Sequence, residues 1–159
     1  MKIESIETKG ELALKPIKES FMQLTEPLEI VINTDEGNFR WNLPTGYVTD
    51  GRSGGNIVDF FVPRWGKEIL SLAYICHDAG FAGANEITEF CHYPSFTLTN
   101  DIFEAMLDHA GISGWKVWIM IRIVSSKFFG KSSFTDRNEY QDKQNAKFIK
   151  SGELLFTFL

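Results

Sequence analysis

The chain has 159 residues, 43% of them hydrophobic and 23% charged, with a net charge of -5 and a pI of about 5.2. These proportions exclude a disordered chain and fit one domain, 1–159, able to bury a core without staples. The acidic balance disfavours nucleic acid as a partner, because Arg122, Lys127 and Lys131 make only a weak basic cluster.

The first third reads as β-structure. Leu28–Ile32 is a short apolar strand, residues 33–38 are turn formers, and Phe39–Leu43 alternates apolar and polar, so a hairpin is expected. Pro44-Thr45-Gly46 breaks it, and Tyr47-Val48 resumes as a short strand. A loop with Gly51, Gly54 and Gly55 follows, where glycine permits positive φ or close approach of backbone to a ligand. A short apolar turn, Ile57–Val62, ends at Pro63.

The remainder reads as helical. Gly66–Phe81 carries apolar residues around much of its circumference. Thr97–Ala110 has Thr97 or Thr99 as cap, Asp101 and Glu104 early where the helix dipole favours acids, and Gly111 as a stop. A third helix runs from Ser113 to about Phe129, with Gly130 ending it. Residues 131–159 form a C-terminal extension with an amphipathic turn or two around Tyr140 and Phe148, then a strand-like Leu154–Phe158 able to pair with the N-terminal sheet. The fold class expected is α+β: an antiparallel hairpin or small sheet packed on a bundle of about three helices.

Two cysteines, Cys76 and Cys91, are too few for a disulfide framework and suit a reducing compartment. Met1–Gly10 lacks the apolar stretch of a signal peptide, and the apolar run Val117–Val124, interrupted by Arg122, falls far short of the roughly 20 residues that span a bilayer. A soluble protein is expected.

The chemistry concentrates in Asp50, His77, Asp78 and Asp101. His77 shares a helix face with Leu70, Ala73 and Tyr74 and looks inward, either as a core histidine hydrogen-bonded to a carboxylate or as a general base. Antiparallel packing of consecutive helices would bring Asp101 beside His77, and a carboxylate that fixes the tautomer of a histidine is what base catalysis requires. Asp101 is equally a helix N-terminal acid. Asp50 and the glycines after it offer oxygens to a hard cation, calcium or magnesium, or form an Asx-type turn. Cys76-His77 and Cys91-His92 lack the two-residue gap of a zinc knuckle. A two-metal His-Asp phosphohydrolase needs a further upstream histidine, and none precedes His77.

The order Gly46-Tyr47-Val48-Thr49-Asp50-Gly51-Arg52-Ser53, then Ala73 to His77-Asp78, then Asn100 to Leu107, then Trp115, Ile121–Val124 and Phe129-Gly130 resembles a small phage and prophage family, domain of unknown function 1353. The likeness covers about Pro44 to Gly130. It departs at Gly54-Gly55, where the family has an early Pro, and at Phe81, where Tyr is usual. A fainter similarity, to viral phospholipases of the calcium-dependent A-two group, implies His77 as base, Asp101 orienting it, and Asp78 with loop carbonyls holding calcium.

Two functions are therefore expected side by side. One is a metal-dependent hydrolase of an ester or envelope substrate, with His77 and Asp101 catalytic and Asp50 and Asp78 as metal ligands. The other is a non-catalytic virion or host-protein-binding protein in which the same residues are a structural network. The resemblance implies the host cytoplasm or the virion as location.

Overall fold

A computed structural model describes residues 1–18, 21–50, 68–82, 94–126 and 139–159. The glycine loop after Asp50, the turn up to Pro63, Cys91, His92, Lys127, Lys131 and Phe129-Gly130 lie outside the described residues.

The alternation in the first third builds a sheet. Strand β4 (Leu28–Thr34) buries Leu28, Ile30, Ile32 and Thr34, and β5 (Gly37–Leu43) buries Phe39, Trp41 and Leu43. Their register sets Ile30 opposite Trp41 and Ile32 opposite Phe39, so both apolar rows fall on one face. β1 (Ile3–Lys9) pairs antiparallel with β4. The last strand, β7 (Leu155–Phe158), pairs antiparallel with β5, with Trp41 opposite Phe156. The expected return of the C-terminal strand to the N-terminal sheet holds, and the order is β1-β4-β5-β7.

A second, three-stranded sheet has the order β2-β3-β6, from Leu14–Lys18, Phe21–Leu24 and Val48–Thr49. The short strand expected at Tyr47-Val48 is thus β6, one residue later.

Four helices are described: α1 (Glu68–Ala82), α2 (Phe96–His109), α3 (Gly114–Val124) and α4 (Glu139–Lys150). The cap of α2 is Ser95, whose hydroxyl accepts from Leu98 N–H at 3.1 Å, and not Thr97 or Thr99. Thr99 is buried one turn inside, its hydroxyl donating to the Ser95 carbonyl. The stop at Gly111 holds: with φ of 77°, it lets its own N–H reach the Asp108 carbonyl while Ile112 N–H reaches Leu107. The polar tail, expected to hold a turn or two, carries twelve residues of helix in α4.

Sheet and helices share one core. Ile30, Phe39 and Trp41 belong to the same apolar cluster as Tyr74, Ile75, Phe103, Met106 and Phe148. The architecture is α+β, with the N-terminal strands set against helices. No described helix is long and apolar enough to cross a membrane.

Candidate functional site

Helices α1 and α2 approach closely because glycine meets threonine there. A Cβ on Gly80 would lie 2.5 Å from Thr99 Cγ2 and 2.7 Å from its Oγ1. Only a residue without a side chain allows this approach. One turn before Gly80 on α1 stands His77, and next to Thr99 on α2 stands Asn100.

Those two side chains meet. His77 Nε2 lies 3.0 Å from Asn100 Oδ1, and both residues are buried. The amide oxygen only accepts, so Nε2 carries the hydrogen. The imidazole is wedged between two rings, with Phe81 at 4.4 Å and Phe103 at 4.5 Å between centroids. Tyr74 beyond Phe103 and Phe96 beyond Phe81 extend the aromatic row. Burial pushes the His77 pKa down to about 4, against a weaker upward pull from the Asn100 bond, so the ring is neutral at physiological pH.

Asp78, the next residue, is buried as well, and its carboxylate accepts a hydrogen bond from the hydroxyl of fully buried Thr49. Thr49 ends β6, so this bond joins the second sheet to α1. The far edge of β6 is held from α4. Asn145, fully buried, accepts from Val48 N–H at 2.9 Å and donates to the Val48 carbonyl at 2.8 Å.

Of the four expected site residues, Asp101 does not meet His77. Asp78 and His77 diverge around α1 and have different partners, Thr49 and Asn100. Asp50 follows Thr49 and is half-buried at the end of β6. Asp101 is exposed, and the place expected for it beside His77 is taken by Asn100. The reason is helical geometry: neighbouring residues point about 100° apart, so when Asn100 faces α1, Asp101 faces away. Its charge is felt by the Met1 amino group, whose pKa is raised mainly by Glu36 and further by Asp35 and Asp101.

Three members of the network were not anticipated. Asn100 sits one residue from the carboxylate singled out, and its helical phase relative to the apolar stripe of Phe103, Met106 and Leu107 was the available signal. Thr49 lay inside a motif read for its aspartate. Asn145 had no local signal, because its partner is 97 residues away.

One polar atom of the network has no partner: Asn100 Nδ2, which is buried. Among the described residues, no group of three or more His, Cys, Asp and Glu could hold a metal ion. The loop carbonyls expected to complete a calcium site lie outside them. Cys76 is a free, buried thiol whose pKa is pushed up by desolvation, which is not the setting of an activated nucleophile.

A family model described as a protein of unknown function, DUF1353, matches residues 22–124. The chain belongs to this family. The DUF1353 span starts within β3 and ends at the last residue of α3, so it takes in both partners of each central bond, Thr49 with Asp78 and His77 with Asn100. It leaves out α4 with Asn145, and it leaves out β1, β2 and β7. No match to this DUF1353 chain was found among curated proteins or solved structures.

Proposed function

We propose that this DUF1353 protein works by binding a protein partner, as a phage virion component or a factor that engages a host protein, and that its His/Asp cluster is structural. The observation that carries this reading is the burial of the imidazole between two aromatic rings. A general base gains a proton in the transition state, and a carboxylate beside it stabilises the resulting charge. Asn100 can fix a tautomer but offers no charge, and the ring lies buried between Phe81 and Phe103. Such a group takes up a proton poorly near neutral pH. As structural members, the same residues link α1 to α2 and α1 to β6, which suits a network that fixes one packing arrangement.

The test separates stability from turnover. The variants H77N and D78N should lower the melting temperature, while wild type shows no ester hydrolysis above buffer with or without calcium, and the protein co-purifies with a virion or host partner. Calcium-dependent hydrolysis that H77N abolishes without loss of fold would overturn the proposal.

A second reading is favoured by Asn100 Nδ2, a buried donor with no partner beside the imidazole. Buried donors without partners are uncommon, and this one suits an oxygen of a bound small molecule. In that reading the protein is a metal-dependent hydrolase of an ester or envelope substrate. Asp50 and Asp78 supply carboxylates to calcium or magnesium, which would polarise a carbonyl, and His77 is the base. Asn100 rather than Asp101 stands at the imidazole. Calorimetric titration with calcium, on wild type and D78N, distinguishes the two: no heat in either leaves the binding reading alone.

A further inference from the structure

We infer that the protein pairs with a second copy of itself through β7, the two strands running antiparallel across a twofold axis at Thr157, so that two four-stranded sheets join into one. This goes beyond the proposed function and does not depend on it.

One sheet edge stands unguarded. The four-stranded sheet ends in β1 and β7, and the three-stranded sheet ends in β2 and β6. Edges are ordinarily protected from foreign strands by charge, proline, bulges or cover. β1 carries exposed Glu4, Glu7 and Lys9, with a shift of register between Ile3 and Ser5. β2 carries exposed Lys15 and Pro16, with a shift of its own. β6 is covered by Asn145. β7 has none of these devices. Leu155-Phe156-Thr157-Phe158 holds no charge and no proline, and its pairing with β5 runs without irregularity. Phe158 is 61% exposed and Leu159, the next residue, is 52% exposed.

The register on the β5 side decides which peptide groups face outward. Leu159 N–H donates to the Asn38 carbonyl at 2.8 Å. Alternation along an antiparallel pair then turns the peptide groups of Leu155 and Thr157 toward β5. It turns the N–H and C=O of Phe156 and Phe158 away from it. Among the described residues, no strand pairs with β7 on that side.

Those outward groups identify the occupant. An axis at Thr157 sets Phe156 against Phe158 of the second copy and Phe158 against its Phe156. Every outward N–H then meets an outward C=O. An axis at Phe158 would leave Phe156 with nothing to bond. The axis stands perpendicular to the sheet, so the core face of one copy continues that of the other. Phe158 packs on Phe39 at 5.3 Å between centroids and over Gly37, where a Cβ would stand 2.7 Å from its ring. Across the axis it gains Phe156 of the second copy as a cross-strand neighbour on the same face, and aromatic pairs of this kind stabilise sheets. Leu155 stands opposite Leu159, and Thr157 opposite itself on the outer face. No like charges are opposed. A strand from another protein would have to bring the same alternation to an edge that has no charge with which to select it, and β7 brings that alternation itself.

The contact is one pair of short strands, so a reversible dimer with a dissociation constant on the order of 100 µM is expected. Sedimentation velocity over about 1–500 µM measures it, with no species larger than the dimer, because the axis consumes both β7 edges and leaves the guarded β1 at each end. T157K and T157E each set like charges face to face at the axis, and each alone should weaken association at least about fivefold. Mixed together they should form a heterodimer, since lysine then faces glutamate. Thr157 is exposed, so melting temperatures close to wild type are expected for both. T157C places two thiols at a pair whose Cα atoms lie about 4.5 Å apart, within disulfide reach, so mild oxidation should cross-link it well beyond wild type. A wild type monomeric throughout the range would overturn the proposal. So would a dimer indifferent to T157K, mixed variants that stay apart, T157C that does not cross-link, or assemblies that grow past two copies. A monomer that instead binds a synthetic alternating Thr-Val peptide, with the Phe156 and Phe158 amides gaining protection from hydrogen exchange, would also overturn it and assign the edge to a strand of another protein.

Discussion

Asn145 of α4 holds Val48 of β6 by both halves of its side-chain amide, accepting from the strand N–H at 2.9 Å and donating to its carbonyl at 2.8 Å. The side chain does what the backbone of another strand would do. β6 pairs with β3 through Met22 opposite Thr49, so its outer edge would otherwise be two bare peptide groups. Replacing Asn145 with Ala leaves both buried without partners, at about 1–3 kcal/mol each. N145A is therefore expected to lose about 3 kcal/mol in urea denaturation, and N145D, which keeps only the acceptor, should also fall well below wild type. A loss under about 0.5 kcal/mol, the range of ordinary surface changes, would mean that the clamp is ornamental.

The Thr49 hydroxyl has the next largest role. T49V keeps the shape and removes the donor to the Asp78 carboxylate, and bonds to charged groups contribute about 1.5–3 kcal/mol. T49S keeps the donor and should cost far less. Equal destabilisation by the two variants would assign the effect to packing.

How far the sequence revealed this can be judged residue by residue. The β4-β5 hairpin was legible because period-two burial is written into adjacent residues, as was the inward face of His77. The partner of His77 was not. Choosing between Asn100 and Asp101 demands helical phase to within one residue, and the electrostatic appeal of a carboxylate favoured the wrong neighbour. The cap of α2 fell to Ser95 for a related reason, since Thr97 and Thr99 also form caps and a shift of two to four residues decides. β1 and Asn145 depend on partners far along the chain. No local pattern encodes them.

Acid should weaken the fold through His77. Unfolded, the imidazole titrates near 6.5, whereas burial holds it near 4 in the native state. Between those values the unfolded chain binds a proton that the native chain does not. The contribution is whole above pH 6.5 and drains away as pH falls to about 4, amounting to about 3 kcal/mol. The stability difference between wild type and H77N, followed by chemical denaturation from pH 7 to 4, should shrink by about that amount. A His77 imidazole resonance titrating above pH 6 would refute the burial of this ring.

At the crossing of α1 and α2, G80A asks Thr99 to move, and Thr99 is tied to the Ser95 carbonyl at 2.9 Å. Overpacking of this kind costs about 1–3 kcal/mol. The variant G80A/T99S removes the methyl nearest the new Cβ and should recover part of the loss, measurable as a melting temperature above that of G80A.

The last stretch of the chain supplies the outer member of both sheets: β7 covers the edge of β5, and α4 covers the edge of β6. Neither lies in residues 22–124, the span shared with the family. A fragment trimmed to that span loses β1 and β2 as well, and would display raw edges on β3, β4, β5 and β6, the template on which foreign strands add. Expression trials guided by the family boundaries alone would be expected to yield inclusion bodies, and the smallest soluble unit should need its final twenty-odd residues restored together with β1 and β2.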